Sequence, residues 1–182
     1  MRHIFKRYQA LIILASALII SACTGIPEGV TPEENFDQNR YLGKWYEIAR
    51  LDHSFERGLE QVTATYTQRE DGGIKVLNQG YHTENGEWEQ AEGKAYFVGE
   101  RDVGHLKVSF FGPFYASYVV AEIDHEAYQY ALVTGPDTEY LWVLARQPSL
   151  DQQTLQTLVA KAKAYGFDTS ALIYVNQAKN MQ

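Results

Sequence analysis

Cys23 is the only thiol in the sequence, and a thiol that stands alone has few chemistries open to it. It can make no intrachain disulfide, no Cys-x-x-Cys redox pair and no cysteine-rich zinc site. The imidazoles form no set either. His53, His82, His105 and His125 fall in different turns or strands with none at i, i+4 from another, so each reads as a surface side chain and no metal site is expected. Gly-x-Ser-x-Gly, a glycine-rich phosphate loop and His-Glu-x-x-His are all missing from the sequence. The carboxylate pairs Glu60/Glu92 and Asp124/Glu126 are no more than 23 acids scatter by chance. The expectation is no catalytic residue and no cofactor.

The residues before Cys23 give it another chemistry. Met1–Gln9 is basic, Ala10–Ile20 is an apolar run of eleven residues, and the small Ser21 and Ala22 follow, which is the layout of a secretory signal. Eleven residues are too few to cross a bilayer as a permanent helix. Ile20-Ser21-Ala22-Cys23 resembles a bacterial lipobox, whose cysteine is acylated on sulfur and becomes the first residue after cleavage. Thr24, rather than aspartate, follows the cysteine, which favours the outer membrane and leaves the leaflet open. Residues 1–22 are therefore expected as a lipoprotein signal peptide and 23–34 as a lipidated flexible tether, rich in Pro, Gly, Thr and Glu without periodicity. The folded domain is expected over 35–182.

A length of 182 residues fits one domain with a core of its own. With 45% hydrophobic and 21% charged residues, the chain is of globular rather than disordered or fibrous type. The formal charge is −7, and losing Arg2, Lys6 and Arg7 with the leader leaves 13 basic against 23 acidic residues, a net −10. That argues against a nucleic-acid partner and against attachment to anionic lipid by charge.

The elements that must position any site are strands. From Gly43 to Arg146 apolar and polar residues alternate with period two, broken by turn signals such as Asp71-Gly72-Gly73, Asn85-Gly86, Gly112-Pro113 and Gly135-Pro136. Lys44–Leu51, Leu59–Arg69, Ile74–Thr83, Glu87–Gly99, His105–Phe111, Tyr115–Ile123, Tyr128–Val133 and Glu139–Ala145 read as eight strands. An antiparallel up-and-down sheet of that size removes its edges by closing, and a closed eight-stranded barrel can hold side chains or one small ligand. One C-terminal helix follows, with Ser149 as its expected cap, Gly166 as its stop, and an apolar stripe of Leu155, Leu158, Val159, Ala162 and Tyr165 that packs outside the barrel. Ala171–Val175 is expected as a short ninth strand.

Gly43-Lys44-Trp45-Tyr46-Glu47 on the first strand resembles the Gly-x-Trp signature of the lipocalin family, and Arg146 before the helix is similar to that family's closing arginine. Val108–Tyr115 and Gly135–Trp142 resemble the bacterial outer-membrane lipoproteins of the family. Lys75–Gln79 and Tyr130–Val133 resemble, more distantly, its apolipoprotein D branch. Where many members carry Thr-Asp-Tyr this chain has Ile123-Asp124-His125 followed by Tyr128. The resemblance covers about Phe36 to Val175 and implies an all-β calyx. It also implies that Gly43, Trp45 and Arg146 are structural, the guanidinium sealing the closed end against the indole.

Alternation then assigns the inward set. Leu106, Val108 and Phe110 share one face; Val62, Ala64 and Tyr66 share another; Tyr140, Trp142 and Leu144 go with Arg146. Asp52–Gly58 is the longest loop at the open end and a candidate lid, where Phe55 could cover a ligand and Arg57 could meet a phosphate or carboxylate. The alternative is that Glu56 and Arg57 are solvated loop charges. The function expected is a lipid-anchored carrier of amphipathic lipids, such as lysophospholipids or fatty acids, held on the membrane through acylated Cys23. A structural or interaction lipoprotein with a filled barrel and a lipid-acting enzyme are the alternatives, and pairing of two chains as a homodimer stays open.

Overall fold

A computed structural model of the protein describes residues 24–178. Cys23 and the signal segment lie outside the described residues. Nine strands follow in chain order: β1 Gly43–Arg50, β2 Leu59–Gln68, β3 Ile74–His82, β4 Glu87–Phe97, β5 His105–Ser109, β6 Ala116–Ile123, β7 Tyr130–Thr134, β8 Leu141–Ala145 and β9 Ile173–Tyr174. Each of β2 to β8 pairs antiparallel with the next, and β1 pairs with both β2 and β8, so the eight-stranded sheet closes. The turns use the expected chemistry. Asp71 accepts from Gly73 N–H and holds Arg69 across the β2–β3 turn, and Asn85 accepts from Glu87 N–H in the β3–β4 turn.

β1 carries the irregularity that shapes one end of the barrel. It pairs with β2 only over Gly43–Tyr46 and with β8 from Tyr46 onward, with a bulge between Glu47 and Ala49. The gap left where β1 parts from β2 is filled by the C-terminal segment. β9 pairs with Ala49 and Arg50, Val175 N–H donates to Ile48 O, Gln61 N–H donates to Asn176 O, and the Gln177 amide donates to both Glu47 O and Val62 O. The expected ninth strand is thus a stitch between two barrel strands.

Two cores result from the alternation. On β8, Trp142 and Leu144 join the cluster inside the barrel with Trp45, Tyr66, Val76, Leu106 and Val133. Leu141, Val143 and Ala145 point the other way, into an outer core with Val119, Leu132, Leu158, Ala162 and Phe167. Leu158 and Ala162 belong to the main helix α2, Gln152–Ala164; a short helix α1, Gln38–Tyr41, precedes β1. The cap of α2 is Asp151, whose carboxylate accepts from Thr154 N–H, rather than Ser149. An aspartate one residue before the helix both caps it and meets the positive end of its dipole.

The described part of the segment read as a tether lies on the barrel wall. Pro27 and Val30 are buried, Glu33 N–H donates to Val120 O, Glu33 O accepts from Gly104 N–H, and Glu34 bridges to Val103. No alternation marks this stretch in the sequence because its contacts are made by backbone and by two apolar side chains.

Candidate functional site

The strand directions put α1, the β2–β3, β4–β5 and β6–β7 turns and Arg146 at one end of the barrel. That end is closed. The Arg146 guanidinium lies 3.9 Å above the Trp45 ring and donates to the carbonyls of Lys44, Arg40 and Leu42 at 2.9, 2.6 and 2.9 Å. Trp45 Nε1 donates to Tyr41 O at 2.8 Å, so both polar groups of the pair are satisfied. Gly43 has φ +100° and a Cβ there would sit 3.3 Å from the guanidinium, which is the reason for glycine two residues before the tryptophan. The departure at Asp124-His125 is absorbed locally. Asp124 accepts from Glu126, Ala127 and Gln129 N–H, and the buried Tyr128 takes the Arg40 guanidinium over its ring at 4.1 Å. Removing the guanidinium takes the donor from four carbonyls, that of Tyr128 at 3.3 Å included, and loses a cation–π contact, so Arg146→Ala should cost about 2 kcal/mol and lower the melting temperature by roughly 4–8 °C. An unchanged melting curve would contradict the structural role.

Above this seal the interior is apolar with a polar floor. Tyr41, Tyr66 and Tyr118 form a chain of hydroxyls, 2.6 Å from Tyr41 to Tyr118 and 2.9 Å from Tyr66 to Tyr118. Burial raises the pKa of all three, so the chain is neutral. Leu106, Tyr66 and Leu144 are buried in the inner cluster, while Ala64, Val108, Phe110, Tyr118 and Trp142 pack against it and keep part of their surface accessible. These half-buried side chains line the interior above the seal. Phe110, one residue past the end of β5, lies across β4 at Gly93, where a Cβ would stand 2.9 Å from its ring. Val62 is buried next to Gly80, and its carbonyl takes the Gln177 amide.

The other end carries the β1–β2, β3–β4, β5–β6 and β7–β8 connections. Residues 51–58 fold back over it. His53 is buried, and its ring stacks on Phe55 at 5.3 Å and Tyr140 at 5.1 Å, with Trp142 4.7 Å away. A groove of about 190 Å³ runs between this loop and the β7–β8 turn, lined by Asp52, His53, Ser54, Phe55, Glu139 and Tyr140. Arg57 is exposed and forked onto Asp52, with contacts of 3.1, 3.1 and 2.5 Å.

The sequence reading did not anticipate three charged residues buried beside His53. Arg50 donates to Glu47 at 2.7 Å and to the carbonyls of Glu56 and Leu59 at 2.8 and 3.2 Å, and Trp142 Nε1 donates to Glu56 at 3.0 Å. Burial lifts the Glu47 carboxyl well above the usual range, the neighbouring Glu56 adds to this, and Arg50 opposes it. Glu56 is raised by burial and drawn back by Trp142 and Arg50. The two carboxyls share one buried site and press on each other, with Arg50 as the opposing charge. His53 is pushed down to about 4 by burial and by the Arg50 charge, and is a neutral ring at pH 7. The bulge in β1 explains why alternation misplaces Arg50. Glu47 shares the inward parity of Trp45, and the extra residue turns Arg50 to the same side. Chemically the cluster is a buried, hydrogen-bonded plug, with an indole at its inner edge and two stacked aromatics at its outer edge.

Comparison with known proteins agrees with this architecture. The lipocalin-like domain family matches residues 36–177. The outer membrane lipoprotein Blc of Vibrio cholerae serotype O1 is 57% identical over 169 residues, covering 93% of this chain and 99% of the relative. Its Escherichia coli K12 counterpart is 54% identical over 164 residues, covering 89% and 92%. Apolipoprotein D of Rattus norvegicus is 35% identical over 156 residues, covering 80% and 79%. Among solved structures, insecticyanin from the tobacco hornworm Manduca sexta shares the fold with a TM-score of 0.67 at 23% identity, covering 87% of this chain and 90% of that one.

Proposed function

The chain belongs to the lipocalin family, and on that premise we propose that it is an outer-membrane lipoprotein, anchored through acylated Cys23, whose calyx binds amphipathic lipids of the lysophospholipid or fatty-acid kind. The observation that carries this reading is the set of inward side chains, Ala64, Val108, Phe110, Tyr118 and Trp142, that stay partly accessible inside a closed barrel. The bacterial relatives are outer membrane lipoproteins, which supports the location, and the binding reading is preferred over turnover because no nucleophile with a base beside it stands in the calyx among the described residues.

Energetics limit what such a ligand can be. Burying about fifteen methylenes gains on the order of 12 kcal/mol at roughly 0.8 kcal/mol each. Association and chain ordering cost an estimated ~4–15 kcal/mol, so headgroup contacts decide preference. The acidic surface disfavours free anions. At the rim, Arg57 and Asp52 stand side by side with both charges exposed, a pairing that a zwitterion can exchange with its phosphate and its amine. A lysophospholipid should therefore outcompete a fatty acid of equal chain length at neutral pH. Trp142 reports it: titration should change its emission, and Trp142→Phe should remove that change. A fatty acid of matched length that binds as tightly would contradict the preference, and a titration silent for every single-chain lipid would contradict the binding.

A further inference from the structure

The exposed phenylalanine and tryptophan residues of the domain gather at one end. Phe111 and Phe114 are 82% and 77% exposed, Phe55 is 61% exposed and Trp88 is 56% exposed. Strand direction places all of them at the open end: Phe55 in the β1–β2 loop, Trp88 at the start of β4 beside the β3–β4 turn, Phe111 and Phe114 in the β5–β6 loop. At the closed end the only large apolar side chain so exposed among the described residues is Val98. Four exposed Phe and Trp side chains around one opening are not needed by either core.

The position of the N-terminal segment says what they meet. Thr24, the first described residue, lies with its backbone beside the His105 ring, and that ring contacts Ser117 Oγ at 3.1 Å. Ser117 is the second residue of β6 and lies two positions from the loop that bears Phe111 and Phe114. Cys23 is the next residue. Pro27 and Val30 are buried and Glu33 and Glu34 pair with the barrel wall, so only a short stretch of chain separates Cys23 from these contacts. An acyl group on Cys23 brings the membrane to the β5–β6 side of the mouth.

We propose that the open end of the barrel docks on the membrane that anchors the protein, with Phe111 and Phe114 inserted in the lipid interface and Phe55 and Trp88 at headgroup level, so that the mouth opens onto the bilayer. This rests on the reading of Cys23 as the acylated residue. Aromatic rings on loops suit the interfacial zone, where an apolar body and a polar surround are both met. The charge at that end selects the lipid. Glu84, Glu87, Glu89 and Glu139 flank the rim and repel an anionic surface, so the partner is a zwitterionic phospholipid leaflet.

The test uses the mature acylated protein, whose Cys23 is blocked, with a single environment-sensitive fluorophore on Phe111→Cys, on Phe114→Cys, or on Glu70→Cys in the β2–β3 turn of the closed end. Each is reconstituted into phosphatidylcholine vesicles containing nitroxide-labelled lipid and collected by flotation. Probes at 111 and 114 should lose emission roughly two-fold or more on meeting the nitroxide, the probe at 70 should not, and replacing a third of the lipid by phosphatidylglycerol should weaken the effect. Equal quenching at both ends, or protein that floats with the vesicles while the 111 and 114 probes remain unquenched, overturns the docking and leaves the anchor intact. Protein that fails to float overturns the anchor reading and the docking with it. A spectral shift at 111 that appears without vesicles and grows with protein concentration assigns the rim to a second copy of the chain and overturns the proposal as well.

Discussion

Replacing Arg50 by leucine should lower stability by about 3–5 kcal/mol, because it leaves two carboxyl groups in a buried site without the charge that compensates them. For a domain of this size that is a fall of roughly 6–20 °C in melting temperature. The argument is in the contacts: Arg50 is the one cation facing Glu47, it satisfies two loop carbonyls, and it ties residues 56 and 59 to β1. Neutralising the partners should recover part of the loss. Arg50→Leu combined with Glu47→Gln and Glu56→Gln is expected to melt above the single variant, since a buried ionic cluster is often worth no more than a neutral one of the same shape. A single variant that melts with the wild-type protein would show that the trio is solvated, and the plug at the mouth would have to be abandoned.

The second large effect is all or none. A single acyl chain holds a protein reversibly, whereas the diacylglycerol and amide-linked acyl group expected on a lipobox cysteine make dissociation negligible. Cys23→Ser should therefore abolish lipid labelling and processing by the lipoprotein route. The same domain beginning at Thr24 behind a conventional signal should be recovered in the soluble fraction with its fold intact. The described residues contain no helix long and apolar enough to cross a membrane, so nothing of that kind in them replaces the anchor. A Cys23→Ser protein that stays in the membrane fraction after a high-salt wash would contradict the assignment.

Much of the fold could be read in the sequence because its strands alternate and its turns carry residues that only turns favour. Asp71-Gly72-Gly73 and Asn85-Gly86 mark hairpins whose strands end within a residue or two of the expected positions. Trp45 and Arg146 were placed by resemblance, and their contact is a geometric one that strand direction alone would not supply. Three things escaped. The N-terminal segment packs through backbone hydrogen bonds, which leave no pattern of residue types. The helix cap moved from Ser149 to Asp151 because both residues suit the role and only the chain path separates them. Arg50 was missed because its inward turn depends on a bulge, and a bulge reverses the parity on which every inward assignment after it rests. Glu56 in particular reads as a loop charge, yet the loop folds inward and buries it.

Native mass spectrometry of the protein extracted from outer membranes in mild detergent tests the central claim most directly. The chain should carry, beyond the covalent acyl groups on Cys23, one non-covalent adduct with the mass of a single-chain amphipathic lipid, lost on denaturation. Ala64→Phe, which fills space beside the inner cluster at the cost of some packing strain, should retain the fold and lose the adduct. A wild-type protein that emerges without an adduct, and takes up none when lysophospholipid is added, would contradict the account.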